Sequence, residues 1–164
     1  MFKSKELQEA LHIAVLYEEG TDLYEEGACE QALSKFNAIL QSEAEAAKVF
    51  HARAFYHKGI ALYDMAHYEE AIKCYDKAIE IDPNYSLAYN SKGFALKAMK
   101  RYGEAMVCYD RAIEIDPYCA EAYNNKGLVL DELKQYEEAI ACFDKSIEVD
   151  PDCTTAYNNK GLIL

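Results

Sequence analysis

The residues of this sequence that could do chemistry are its six cysteines, its four histidines and several pairs of adjacent acids. A nucleophile or a metal site would gather such groups at short, characteristic spacings. The cysteines are not gathered. Cys74, Cys108 and Cys142 follow one another at intervals of 34 residues, and so do Cys119 and Cys153. Equivalent places in successive structural units lie too far apart for an S–S bond, and the eleven-residue steps from Cys108 to Cys119 and from Cys142 to Cys153 match no zinc spacing. All six are expected to be reduced thiols that bind no metal and pack as small hydrophobes. His12, His51, His57 and His67 contain no pair at i and i+4 and no HExxH sequence. Glu69-Glu70 and Glu137-Glu138 open helical stretches, where negative charge offsets exposed N–H groups. The seven glycines are scattered singly, so no phosphate-cradling loop exists. These residues imply no active site, no cofactor and no metal, and the chain is read as not an enzyme.

The 34-residue interval instead points to the elements that carry the side chains. Overlaying the chain on itself at that period aligns Gly59, Gly93, Gly127 and Gly161, then Ala71, Ala105 and Ala139, then Tyr75, Tyr109 and Phe143, and then Pro83, Pro117 and Pro151. Tyr68, Tyr102 and Tyr136 fall into the same register. Between glycine and proline, Ala71, Ile72, Tyr75, Ala78 and Ile79 recur at three and four, which is one buried helical stripe with Lys73, Asp76, Lys77 and Glu80 outside it. No strand pattern is present. Gly59 and Ala71 are expected on facing helices, where the lack of side chain lets two antiparallel helices approach closely. Ala78 and Ala112, with Ser146 as the third copy's small residue, do the same between hairpins. Asp82-Pro83, Asp116-Pro117 and Asp150-Pro151 end the second helix of each copy, because proline lacks a donor and disfavours helical geometry before it. A short turn is predicted near Met65-Ala66-His67.

These aligned residues resemble the tetratricopeptide repeat, a helix-turn-helix family, in three copies over residues 52–85, 86–119 and 120–153. The resemblance implies an all-α fold, a right-handed α-solenoid of antiparallel helix pairs, as one domain over residues 1–164. A degenerate first copy is read over residues 13–46 from Leu16, Gly20, Leu23, Ala32 and Phe36. It lacks the closing proline; Ser42-Glu43-Ala44-Glu45 reads as a capping box, so the next helix is expected to start near Glu43 and run to about Met65. Ser4 is read as a cap of an elongated first helix. Residues 154–164 match only the first helix of a further copy, so the chain reads as a fragment of a longer array. Two departures from the family pattern are the lysines before the glycines (Lys58, Lys92, Lys126, Lys160) and the aromatic residues Phe55, Tyr89, Tyr123 and Tyr157 where the family often has tryptophan. The lysine stems are expected to lie along the core with their ammonium groups in water.

Composition bounds the partners. Seventeen basic against 29 acidic residues give a net charge of −12, which repels phosphate backbones and anionic membranes. The N-terminal segment is amphipathic, broken by Gln8, Glu9 and His12, and is not a signal-peptide stretch; no run is long enough to span a bilayer. With six cysteines and no secretion signal, a cytoplasmic location is expected.

Stacked hairpins place their first helices along a concave channel, and the family resemblance implies that ligands lie in it. Carried over residue by residue, the channel comprises Tyr17, Thr21 and Tyr24, then Arg53, Tyr56, Ile60 and Tyr63, then Leu87, Asn90, Phe94 and Lys97, then Glu121, Asn124, Asn125, Leu128 and Asp131, with Asn158 and Asn159 beyond. Tyr56, Ile60 and Phe94 are read as the apolar part of one strip. The ladder of Asn90, Asn124 and Asn158 is its polar part, offering amide donors and acceptors to an extended peptide. Some family members hold a C-terminal carboxylate with basic and asparagine residues. In this sequence those places hold Tyr17, Thr21, His57, Leu87 and Ser91 in one frame and Tyr56, Ile60, Ser91, Glu121 and Asn125 in the next, so carboxylate capture fails on charge. The expected function is a protein- or peptide-binding scaffold, with no nucleic acid and no membrane as partner. The alternatives are a self-associating solenoid, joined through Tyr157, Leu162, Ile163 and Leu164 at the open C-terminal edge, or the regulatory arm of a longer protein.

Overall fold

A computed structural model of the chain describes residues 2–163, with the side chains of residues 2–4, 45 and 46 left undescribed; Leu164, part of the expected sticky edge, lies outside it. Among the described residues the secondary structure is helical throughout, in two compact units divided after Pro83. The first unit holds α1 (Phe2–Glu25), α2 (Cys29–Gln41), α3 (Glu45–Asp64) and α4 (Tyr68–Ile81). The second holds α5 (Ser86–Ala98), α6 (Tyr102–Ile115), α7 (Ala120–Glu132), α8 (Tyr136–Val149) and α9 (Thr154–Ile163). Within each unit consecutive helices pair as hairpins, and each first helix also touches the next first helix: α1 with α3, α5 with α7, and α7 with α9.

The glycines set how closely each hairpin closes. A Cβ added at Gly59 would lie 2.5 Å from the Tyr75 ring; at Gly93 it would lie 2.7 Å from Tyr109 and at Gly127 2.6 Å from Phe143. Gly20 repeats the contact with Phe36 at 2.8 Å, so the hairpin of α1 and α2 closes by the same device. Gly59 and Ala71 lie on the paired helices α3 and α4, as the pattern implies, and the atoms nearest the glycine's missing Cβ are those of the Tyr75 ring; Ala71 is fully buried in the same stripe. Tyr75, Tyr109, Phe36 and Phe143 are among the largest fully buried side chains.

The turns between first and second helices share one motif. Ala66, Lys100 and Lys134 adopt left-handed φ of 61°, 59° and 61°, and Gly27 takes the same place with φ 80°. In each turn the left-handed residue and its successor donate to carbonyls of the last turn, as Ala66 N to Tyr63 O at 2.8 Å and His67 N to Leu62 O at 2.9 Å. This is the Schellman arrangement, which satisfies the carbonyls a helix end leaves open. Only the first copy uses glycine for it. The turns after second helices depend on the prolines: Asp82, Asp116 and Asp150 are extended, with ψ near 94°, 93° and 95°. Asp116 Oδ1 and Asp150 Oδ1 then accept from the N–H groups of Tyr118 and Asp152.

The irregular junction before α3 differs from expectation. Ala44, not Ser42, stands at the N-cap of α3, and Ser42 instead ends α2 in extended geometry. Its Oγ accepts from Ala44 N at 3.3 Å, so the hydroxyl serves the turn and not the helix, and no capping box forms around it. The helix starts two residues later than expected and ends one residue earlier. α1 begins at Phe2, which puts Ser4 inside the helix and not at its cap.

Gly127→Ala tests the closing contact, because the Phe143 ring is fully buried and has no room to yield. It should lower unfolding free energy by about 1–3 kcal/mol. Gly161, which aligns with it but has nothing within 4 Å of its Cβ position, should accept alanine at no cost or gain up to about 1 kcal/mol. Urea unfolding of the two variants measures the difference; equal effects would remove the ring contact as the cause.

Candidate functional site

In the second unit the first helices bring the predicted channel residues together. Asn90, Ser91 and Phe94 of α5 line one side of a recess of about 310 Å³, and Glu121, Asn124 and Asn125 of α7 line the other. Cys153 and Thr155, at the start of α9, close its end. Lys97, Leu128 and Asp131 do not reach this recess; they line a neighbouring one of about 240 Å³ with Tyr102 and Glu132. Asn158 is exposed on α9 and lines neither.

The asparagine ladder has a structural duty that periodicity did not reveal. Asn90 and Asn124 are only 6% and 9% exposed. Asn125 Nδ2 donates to Asn90 Oδ1 at 3.1 Å, and Asn159 Nδ2 donates to Asn124 Oδ1 at 2.9 Å. Each pair ties a first helix to the next. The signal was present in the repeated dipeptides Asn124-Asn125 and Asn158-Asn159: the first residue accepts from one side while the second donates to the other. An amide whose oxygen is occupied still carries two N–H donors.

The lysines before the glycines also do more than reach water. Lys126 Nζ lies 2.6 Å from Asp110 Oδ1 on α6, and Lys160 Nζ lies 2.6 Å from Asp144 Oδ1 on α8. In the first unit Lys58 Nζ donates to Asn37 Oδ1 at 2.6 Å. The acceptor each time follows the ring that fills the glycine notch of the preceding hairpin, so the lysine locks one hairpin to the next. Ser146, fully buried between hairpins, donates to Ala120 O at 2.9 Å, which satisfies the hydroxyl that replaces alanine there.

The first-unit channel residues pack as an aromatic cluster. Tyr17 meets Phe36, Phe50 and His57 with ring centroids 6.3, 5.5 and 5.4 Å apart. Tyr56 contacts His57 at 5.1 Å and Tyr75 at 6.2 Å. Tyr63 lies against Tyr68 at 5.2 Å, and Tyr24 donates to Asp64 Oδ2 at 2.6 Å. Burial pushes the Tyr17 and Tyr24 phenols up. Arg53 is exposed and Ile60 half-buried. His57 stacks on Phe36 at 5.8 Å, and its Nδ1 is buried without a hydrogen-bond partner. Burial, aided by Arg53, pushes its pKa below the usual histidine value.

All six cysteines are thiols, with Cys74 and Cys108 buried. Burial raises the Cys119 thiol, whereas the Thr155 hydroxyl, 3.2 Å from Cys153 Sγ, leads the groups that lower Cys153. Among the described residues no three metal-ligating side chains are arranged around one point, and no helix is long and apolar enough to cross a membrane.

The chain belongs to the tetratricopeptide repeat family, whose model matches residues 52–85, 86–119 and 120–153. No curated protein matches it in sequence. Its fold is that of solved tetratricopeptide structures. MamA residues 41 to the end from Desulfovibrio magneticus RS-1 superposes with a TM-score of 0.75 at 24% identity, covering 92% of this chain and 82% of that one. The first repeat domain of Spaghetti (RPAP3), bound to the HSP90 peptide SRMEEVD, has a TM-score of 0.67 at 25% identity, covering 69% of this chain and 90% of that one. The second repeat domain of human RPAP3, in complex with the HSP70 peptide SGPTIEEVD, has a TM-score of 0.67 at 23% identity over 71% and 97%.

The depressed pKa of His57 links the first unit to pH. The unfolded imidazole takes up a proton below about pH 6.5, while the folded one resists until lower pH. Stability is therefore full above that value and falls as pH drops through it. The thermal midpoint should decline more between pH 7.5 and 5.5 in the native chain than in His57→Phe, which keeps a ring on Phe36; parallel declines would clear His57 of any part.

Proposed function

We propose that this chain is a non-catalytic scaffold that binds an extended segment of another protein along the first-helix faces of its hairpins. The observation that carries the reading is the recess of the second unit, where Asn90, Phe94, Asn124 and Asn125 from two successive first helices converge on one space. An apolar ring beside amide donors suits a peptide, whose backbone carbonyls need donors and whose side chains need an anchor. Lys97 and Leu128 extend this face through the neighbouring recess, and Asn158 extends it along α9. In the first unit the contact residues are Tyr17, Tyr24, Arg53, Tyr56, Ile60 and Tyr63, since exposed or half-exposed aromatics mark docking faces. The peptide held by the Spaghetti (RPAP3) domain supports the general mode of use. A second reading, self-association, is favoured by Tyr157 and Leu162, which are 51% and 85% exposed on α9 beside the ringless Gly161.

Both readings meet one experiment. Peptides selected by the chain from a random library of capped decapeptides are titrated against the chain and against the Tyr56→Ala/Phe94→Ala double variant. Loss of both anchors should weaken binding by at least about 2 kcal/mol. Unchanged affinity with the helical signal intact in circular dichroism would displace the face from this region. Light scattering of the same unliganded samples over a concentration series should give a constant monomer mass if the face alone binds; a rising mass that Leu162→Glu abolishes would mark self-association.

A further inference from the structure

The recess of the second unit carries a charge that names its ligand more closely. This step rests on the proposed peptide-binding reading and asks which peptide. Among the side chains that line the recess, Glu121 is the one carboxylate, and no lysine, arginine or histidine lines it. Glu121 is exposed at the first turn of α7, one turn before the buried Asn124 and the half-buried Asn125 on the same helix face. The cation on the adjoining stretch of α5, Lys97, has its ammonium 4.8 Å from the Phe94 ring centroid and lines the neighbouring recess with Asp131 and Glu132. Glu132 acts on it electrostatically. Lys97 therefore does not cancel the charge of Glu121 within the recess itself.

The hydrogen-bonding polarity points the same way. Asn90 Oδ1 and Asn124 Oδ1 each already accept one hydrogen bond, from Asn125 and Asn159, which leaves the two Nδ2 groups as the amides' unengaged ends. Among the described residues no acceptor engages those N–H groups. Donors on the floor suit backbone carbonyls, the Phe94 ring suits an apolar side chain, and the carboxylate at the rim suits a cation. A carboxylate-bearing ligand would instead meet Glu121 with no base to offset it, in a chain whose net charge is already −12. Like charges brought together at an interface discriminate strongly against the wrong partner.

We infer that the recess formed by α5, α7 and the start of α9 selects an extended peptide segment that carries a lysine or arginine beside an apolar residue, with Glu121 as the residue that reads the cation. The test uses three pools of capped nonapeptides, random except for a central lysine, glutamine or glutamate, passed over the immobilised full chain and quantified by mass spectrometry. The native chain should retain the lysine pool at least tenfold over the glutamate pool. Glu121→Gln should reduce that preference below threefold, and Glu121→Lys should reverse it. Circular dichroism checks that each variant keeps its helix content. A preference that survives both substitutions would overturn the assignment, because it would then come from net charge and not from Glu121. Equal retention of the three pools, with binding still lost in Phe94→Ala, would overturn the charge reading and leave the peptide-binding reading standing. Retention of no pool at all would overturn both.

Discussion

The contact on which this structure depends is a ring seated on a bare helix backbone. At Gly20, Gly59, Gly93 and Gly127 an aromatic side chain from the second helix occupies the space that any other residue would need for its Cβ. The arrangement does two things together. It brings the helices of a hairpin as near as packing allows, and it buries a large apolar ring, worth roughly 1.5–3 kcal/mol relative to an exposed one. Glycine in a helix costs about 1 kcal/mol against alanine, so the motif survives only because the ring returns more than the backbone loses. Where no ring follows, as at Gly161, the glycine lies open.

Further links are arranged around that notch. The lysine beside the glycine reaches the acceptor that follows the previous ring, and the asparagine three residues before a glycine accepts a hydrogen bond from the asparagine two residues before the glycine of the next first helix. The ion pairs are exposed and individually weak, while the amide pairs are largely shielded and fix register. Because Asn90 and Asn124 each give an oxygen to this purpose, their amides are turned so that Nδ2 is the end left without a partner amide. The chemistry of the recess is therefore a by-product of how hairpins are tied together, and the one carboxylate at its rim is the residue that packing does not account for.

Much of this was legible in the sequence, for identifiable reasons. Periodicity at 34 residues locates every hairpin of the three regular copies, since glycine, alanine, aromatic and proline each have a fixed steric role. The Gly20 and Phe36 pair made the first hairpin legible as well, although it lacks the proline. What was not legible depends on geometry across helices. The spacing puts Ala71 and Tyr75 on one buried stripe facing Gly59, but it does not show that the ring lies directly over the glycine's backbone. Ser42 was read as a helix start when it ends α2: a hydroxyl followed by an acid looks the same in either role until the backbone angles are known. The left-handed Ala66, Lys100 and Lys134 carry no sequence signal, since only Gly27 occupies that place with the expected residue. The channel residues of the second unit follow from the family resemblance carried over residue by residue, but their division between two recesses, and the burial of Asn90 and Asn124, required the neighbouring helices.

The claim that ring and notch are one unit is tested most directly by a double-mutant cycle on Gly93 and Tyr109. Unfolding free energies of the native chain, Gly93→Ala, Tyr109→Leu and the combined variant separate the contact from the separate effects of each change. If the ring excludes the Cβ, shrinking it makes room, and the double variant should be more stable than the sum of the single losses predicts by at least about 1 kcal/mol. Additive losses would contradict the account, because glycine would then be required for a reason other than the ring.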